Sequence, residues 1–162
     1  MKEVVSMFSG SVTWRRLWWV GLVAILASWI SNMILRLVGI AIFAISPRFA
    51  PIGIFPVTFW TVVTGIGATI VFYLVARFSR NPVPTFLIIA FIVYFMTFYP
   101  DYLILYHQIS PGTTFYSVGT LLTMHIVEAC ISVCVLLMLG FERKRKGTPV
   151  LTQKDERESV RR

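Results

Sequence analysis

Apolar residues dominate this chain in four long runs, and polar or turn-forming residues appear mainly between them. The first run extends from Leu17 to about Leu35 and can continue to Ile45. The second covers about Val57 to Ala76, the third about Pro84 to Leu105, and the fourth about Thr114 to Phe141. None alternates with period 2, so a transmembrane barrel does not fit. Each is apolar nearly all round and reaches the roughly 20 residues that a helix needs to cross a hydrocarbon core of about 30 Å. The breaks carry turn chemistry: Ser46-Pro47-Arg48 and Pro51-Ile52-Gly53 after the first run, Arg80-Asn81-Pro82-Val83-Pro84 between the second and third, and Ser110-Pro111-Gly112-Thr113 before the fourth, where a threonine suits the N-cap of a helix. Connections this short join sequential neighbours. The pattern therefore predicts an all-α, membrane-embedded antiparallel four-helix bundle. No internal repeat supports an inverted-repeat transporter within one chain.

Composition agrees with lipid as the solvent. Of 162 residues, 57% are hydrophobic and 14% charged, with mean hydropathy +0.77, against roughly 25% charged in ordinary globular domains. A soluble enzyme, a disordered regulator and a collagen-like chain are excluded. The net charge of +8 changes the picture only through its placement. Lys2, Arg15 and Arg16 precede the first run, Arg77 and Arg80 lie between the second and third, and Arg143, Lys144, Arg145, Lys146, Lys154, Arg157, Arg161 and Arg162 follow the fourth; Arg36 and Arg48 alone fall on the other side. Basic residues in short flanks stay cytoplasmic, so the arrangement predicts N-in/C-in topology in the cell membrane, and no nucleic-acid partner. Residues 1–16 form a cytoplasmic N-terminal segment, 17–141 the bundle, and 142–162 a basic, mobile tail. The cluster Arg143, Lys144, Arg145 and Lys146 is placed to meet anionic lipid headgroups, with stop-transfer anchoring as the plainer role. Thr13-Trp14-Arg15-Arg16-Leu17 is superficially like a twin-arginine export signal, but the run behind it is long and no small-residue cleavage site follows, so it reads as a retained first span. Trp14, Trp18 and Trp19 form an inner aromatic anchor, and Tyr99, Tyr102, Tyr106, Phe115 and Tyr116 an outer belt.

Polar residues within the runs are where function can show, because burying them in hydrocarbon is costly. In the fourth run His125 and Glu128 are three apart and share a helix face near the bilayer midplane, with Ser132 one turn further. The expectation is a hydrogen-bonded His125–Glu128 pair, or a neutral, protonated Glu128. Three readings of the pair stay open: a structural clasp, a proton or ion pathway, and a metal or haem site. One His-x-x-Glu pair does not complete a bundle metal site, and a symmetric dimer is the only route to a full one, so no metal or other cofactor is assigned. Ser28, Asn32 and Arg36 share a face of the first run, and Tyr94, Thr97 and Asp101 a face of the third. Asn32, Arg36 and Asp101 are placed together as an outer-side polar cluster, with Arg36 either paired to Asp101 or snorkelling alone. His107 is read as a loop residue. Gly21, Ala24, Ser28 and Ser31, and likewise Thr61, Gly65 and Ala68, form small-residue stripes suited to close helix contact. Cys130 and Cys134 lie one turn apart in apolar surroundings, an unreactive pair at a spacing unlike a thioredoxin motif. No P-loop, dinucleotide glycine fingerprint, nucleophile elbow or metalloprotease motif occurs, and no catalytic residue is assigned.

Three segments carry a family resemblance: Phe59-Trp60-Thr61-Val62-Val63 through Leu74-Val75-Ala76-Arg77, the proline-bearing Tyr99-Pro100, and Leu122-Thr123-Met124-His125-Ile126-Val127. With them, residues 15 to 141 resemble a family of small bacterial four-span membrane proteins of unknown function. The family pattern has alanine after the Met-His step, where this chain has Glu128. The resemblance implies topology and no activity. The leading functional expectation is a non-catalytic subunit or interaction partner in the membrane, as a homodimer or within a larger complex. The alternatives are a small proton-coupled transporter using Glu128 and His125, and a metal- or haem-binding membrane subunit.

Overall fold

Four helices hold most of the chain: α1 Trp14–Phe43, α2 Ile54–Phe78, α3 Pro82–His107 and α4 Phe115–Gly140. The structure is a computed structural model that describes residues 13–46 and 48–141; the basic cluster Arg143, Lys144, Arg145 and Lys146 lies outside the described residues. No strand occurs among them. All four helices are long and apolar enough to cross a membrane, which makes the chain a multi-pass membrane protein. The first helix continues past Leu35, in line with a run that reaches Ile45, and is unbroken for 30 residues, while His107 closes α3 instead of lying in the loop.

Local chemistry accounts for the helix ends. Thr114, and not Thr113, caps α4: its hydroxyl accepts from the Ser117 amide while the Ser117 hydroxyl accepts from the Thr114 amide, a capping box that satisfies two otherwise orphaned donors. Thr113 instead donates to the Ser110 carbonyl at 2.6 Å. Helices α1 and α3 both end on a left-handed residue, Ala44 and Gln108. Within α3, Pro100 lacks the amide that would bond Met96, which a membrane helix tolerates among neighbouring helices.

The packing divides into two apolar ends. At one end Leu17 and Val20 of α1, Phe72 and Val75 of α2, Phe86 of α3 and Leu136 of α4 meet, with Phe72 edge-on to Phe86 at 5.1 Å. Arg16 closes this end by donating from Nε to the Leu139 carbonyl at 2.8 Å, which satisfies a last-turn acceptor of α4. At the other end Ile45, Phe49 and Ile52 pack onto Val57, Val118 and Met124. The loops there seal against each other: the Ala50 amide lies 3.3 Å from the Ser110 hydroxyl, and a Cβ built on Gly112, whose φ is +80°, would meet Ser46 Cβ at 2.8 Å. Only glycine fits both the backbone angle and the space.

Helix α1 packs most extensively against α4 and then α2, and α3 sits against α4 and α2. The small-residue positions account for the closeness. A Cβ on Gly21 would meet Thr69 Oγ1 at 2.7 Å, and one on Gly65 would overlap Ile25 Cγ1. Outside these contacts the surface is apolar: Trp18, Leu37, Ile88, Phe91 and Met96 are all more than half exposed, a quantity of greasy surface that suits lipid and not water. Cys130 and Cys134 are free and lie on this exposed surface. The close α1–α2 approach yields a prediction. Gly65→Ala loses about 1–3 kcal/mol by overpacking, read as a lower unfolding midpoint by tryptophan fluorescence in detergent; Gly67→Ala, where a new Cβ meets nothing within 4 Å, shifts the midpoint upward or not at all.

Candidate functional site

Between the two apolar ends lies a polar layer contributed by α1, α2 and α4. Glu128 stands near the middle of α4, about 20 Å from its start at 1.5 Å per residue. Asn32 is 2% exposed and Thr61 1% exposed, and both point at it. Asn32 Nδ2 donates to Thr61 Oγ1 and to Glu128 Oε2, at 2.9 Å in each case. The Thr61 hydroxyl is 3.4 Å from the same Oε2. The Thr64 hydroxyl, one turn along α2, donates to Oε1. One turn towards the Leu17 end, the Ser28 and Ser132 hydroxyls face each other at 3.4 Å.

Both carboxylate oxygens of Glu128 are thus engaged by donors from two other helices. The Thr64 hydroxyl also lies 2.7 Å from the Trp60 carbonyl, and one O–H serves one acceptor at a time. With Glu128 ionised, Thr64 donates to the carboxylate. With Glu128 protonated, the carboxyl donates to Thr64 and Thr64 donates to Trp60. Both states are accommodated without an orphaned donor, a property of hydroxyls that no purely donating residue would supply.

A second polar contact joins α3 to α4. His125 Nε2 lies 3.4 Å from Asp101 Oδ2, with Asp101 at 5% and His125 at 29% side-chain exposure. This corrects the expected His125–Glu128 pair. The two residues share a broad face of α4 but sit about 60° apart around it, three residues at about 100° each, and each turns to a different neighbour. The expected cluster of Asn32, Arg36 and Asp101 is likewise divided. Asn32 goes to Glu128, Asp101 to His125, and Arg36 donates from Nε to the Ile52 carbonyl at 2.8 Å, neither pairing with Asp101 nor snorkelling unpartnered. Its guanidinium ties α1 to the turn ahead of α2. Among the described residues no three His, Cys, Asp or Glu side chains lie together as a metal-binding group would require.

Residues 8–139 match the model of the family of unknown function DUF6069. The chain belongs to that family. No curated protein and no solved structure matches it. The family match thus spans α1, α2, α3 and nearly all of α4, including every residue of the polar layer.

Two members of the layer were missed as functional candidates in this DUF6069 chain. Thr61 reads from sequence as a small packing residue and Thr64 as nothing in particular. The signal available was depth: both lie in the first half of α2, opposite Asn32 in the second half of α1, and polar side chains at matched depth in hydrocarbon seek each other. The α3–α4 contact gives a prediction. A double-mutant cycle of Asp101→Asn and His125→Gln yields a coupling of about 0.6–1.7 kcal/mol, the range of interhelical polar contacts in membranes; a coupling of zero would show that the two side chains do not act together.

Proposed function

We propose that this is a non-catalytic subunit or interaction partner of the cell membrane, an antiparallel bundle with both termini cytoplasmic, whose mid-bilayer polar layer is a clasp that fixes helix register. The observation that carries the reading is the engagement of both Glu128 oxygens by Asn32, Thr61 and Thr64 between two apolar ends. The polar groups are turned on one another, which is the arrangement of a fastening. Antiparallel packing is supported by the order of contacts: along α1, Arg16, Ser28 and Asn32 meet Leu139, Ser132 and Glu128 in descending order. The inward termini are supported by the thirteen basic residues that flank the runs on one side against two on the other, and by Trp14, Trp18 and Trp19, all exposed at the start of α1. With the tail's basic cluster, this face meets anionic headgroups.

A second reading has its own observation. Asp101 and His125 form a titratable pair within one turn of Glu128, the raw material of a proton relay in a small carrier. The two readings separate in proteoliposomes. The clasp predicts that a pH gradient across vesicles holding the wild-type protein decays as in empty vesicles, and that Glu128→Gln behaves identically; a flux that Glu128→Gln abolishes would establish the carrier instead.

The clasp itself is tested by stability. Asn32→Leu leaves a mid-membrane carboxylate short of a donor and loses about 1–3 kcal/mol. Adding Glu128→Leu recovers much of that loss, because removing both partners removes the unmet demand. A neutral Asn32→Leu would remove the basis of the clasp. Topology is read with Gly147→Cys, which a membrane-impermeant maleimide labels in inverted vesicles and not in intact cells.

A further inference from the structure

Helix α3 enters the interior at two places. Its buried residues are Phe86, near its start, and Asp101, about 22 Å further along at 1.5 Å per residue. The first place is firm. Phe86 lies edge-on to the buried Phe72 at 5.1 Å, the Thr85 and Ser79 hydroxyls are 2.9 Å apart, and the turn between α2 and α3 is short. The second place is slight. Asp101 Oδ2 makes no hydrogen bond and is met by the His125 nitrogen at 3.4 Å. Pro100 beside it lacks the amide that would bond Met96, and helices bend at such a gap.

Between the two places α3 passes Glu128. Asp101 stands at His125, and Tyr94 lies within electrostatic reach of Cys130, so residues 94–101 run along the stretch of α4 that holds Glu128. The side of α2 that faces them changes character there. Trp60, Thr64, Ala68, Val71 and Val75 form one stripe at helical spacing. Ala68, Val71 and Val75 pack into the cluster that contains Phe86. Thr64 and Trp60 are exposed instead. Glu128 is itself only half-buried, and the hydroxyl on its Oε1 is that of the exposed Thr64.

We propose that α3 is a strap over a lateral entrance from the bilayer to Glu128, anchored at Phe86 and latched by Asp101 to His125. Releasing the latch lets the Asp101 end swing away from α2 and α4, with Phe86 as the fixed point, and widens the gap beside Thr64. Closing it lays the Tyr94–Asp101 stretch back along α4. Apolar clusters close the bundle at both ends, so what reaches Glu128 by this route comes dissolved in lipid. The inference does not depend on whether Glu128 serves as a clasp or as part of a relay.

The test uses dicyclohexylcarbodiimide, which dissolves in the bilayer. A protonated carboxyl gives its proton to one carbodiimide nitrogen as its oxygen bonds the central carbon, and an O-to-N acyl shift then leaves a stable N-acylurea that keeps every atom of both reactants. Full-length protein in phosphatidylcholine vesicles is labelled at one mildly acidic pH. The rate at Glu128 is read by peptide mass spectrometry, with Glu128→Gln as the blank. Asp101→Asn raises that rate about three- to twentyfold, the equilibrium equivalent of one interhelical polar contact in a membrane. Asp101→Leu combined with His125→Leu, which puts an apolar contact in place of the latch, returns it to the wild-type range. Gly21→Ala, which crowds α1 against Thr69 away from the strap, leaves it unchanged. An unaltered rate in Asp101→Asn overturns the latch, and so does an equal rise in Gly21→Ala, which would mean general loosening. Equal labelling by a water-soluble carbodiimide overturns entry from the bilayer. If Asp101→Asn does not fold, His125→Gln takes its place with the same expectation. Spin labels on Trp60→Cys and Met96→Cys, with Cys130→Ala and Cys134→Ala, lie farther apart once Asp101→Asn is added; an unchanged distance overturns the strap.

Discussion

Hydrocarbon offers no hydrogen-bond partner, so a polar side chain placed between two apolar layers has to find its partners on neighbouring helices or keep its charge at high cost. Glu128 meets that condition through Asn32, Thr61 and Thr64, and in doing so it ties α4 to α1 and α2 at one depth. Helix association in lipid has no hydrophobic drive. The bundle combines close steric contacts, at Gly21 and Gly65, with this directional polar layer and with other interhelical polar contacts such as Trp29 Nε1 to Thr58 Oγ1 at 2.9 Å. The steric contacts set how near the helices lie. On the clasp we propose, the polar layer sets how far each is slid along its neighbour, since a displacement of one turn would leave a carboxylate without donors.

The rest of the molecule is arranged around that layer. On one side the Leu17–Phe72–Leu136 cluster and the Arg16–Leu139 contact close the bundle, and on the other the Phe49 loop packs down onto Val57 and Val118. Arg36 of α1 and Asp101 of α3, which lie towards the second end, are both used locally, one on a carbonyl and one on His125. Helix α3 contributes little to the interior: apart from Phe86 and Asp101 its side chains are not buried. Its apolar surface faces outward, and its polar ties include the Asp101–His125 contact and, near its start, Thr85 Oγ1 at 2.9 Å from the Ser79 hydroxyl.

Much of the architecture was legible beforehand because it follows from local quantities. Run length and apolarity predict four helices of membrane-spanning length, and Gly112, Pro82 and the threonines before α4 mark the turns. Small residues at Gly21 and Gly65 mark the places of close approach, and the contacts there bear that out. The site was legible only in part. Asn32, Asp101, His125 and Glu128 stand out in any hydrophobic run, but their partners do not. Helical spacing suggested His125 with Glu128, because i and i+3 lie on one side of a helix. Each is nonetheless some tens of degrees to one side of the shared face, and that small angle is enough to aim one at α3 and the other at α1 and α2.

For this protein, the linear order of residues by itself determined the solvent, the number of spans and the positions where polar chemistry must be reconciled, since each is a sum over neighbours in the chain. The pairing of Glu128 with Asn32, and of His125 with Asp101, belongs to tertiary structure alone. It depends on the rotation and axial offset of one helix against another, quantities set by packing between segments some 24 to 96 residues apart and not encoded in the periodicity of any one of them.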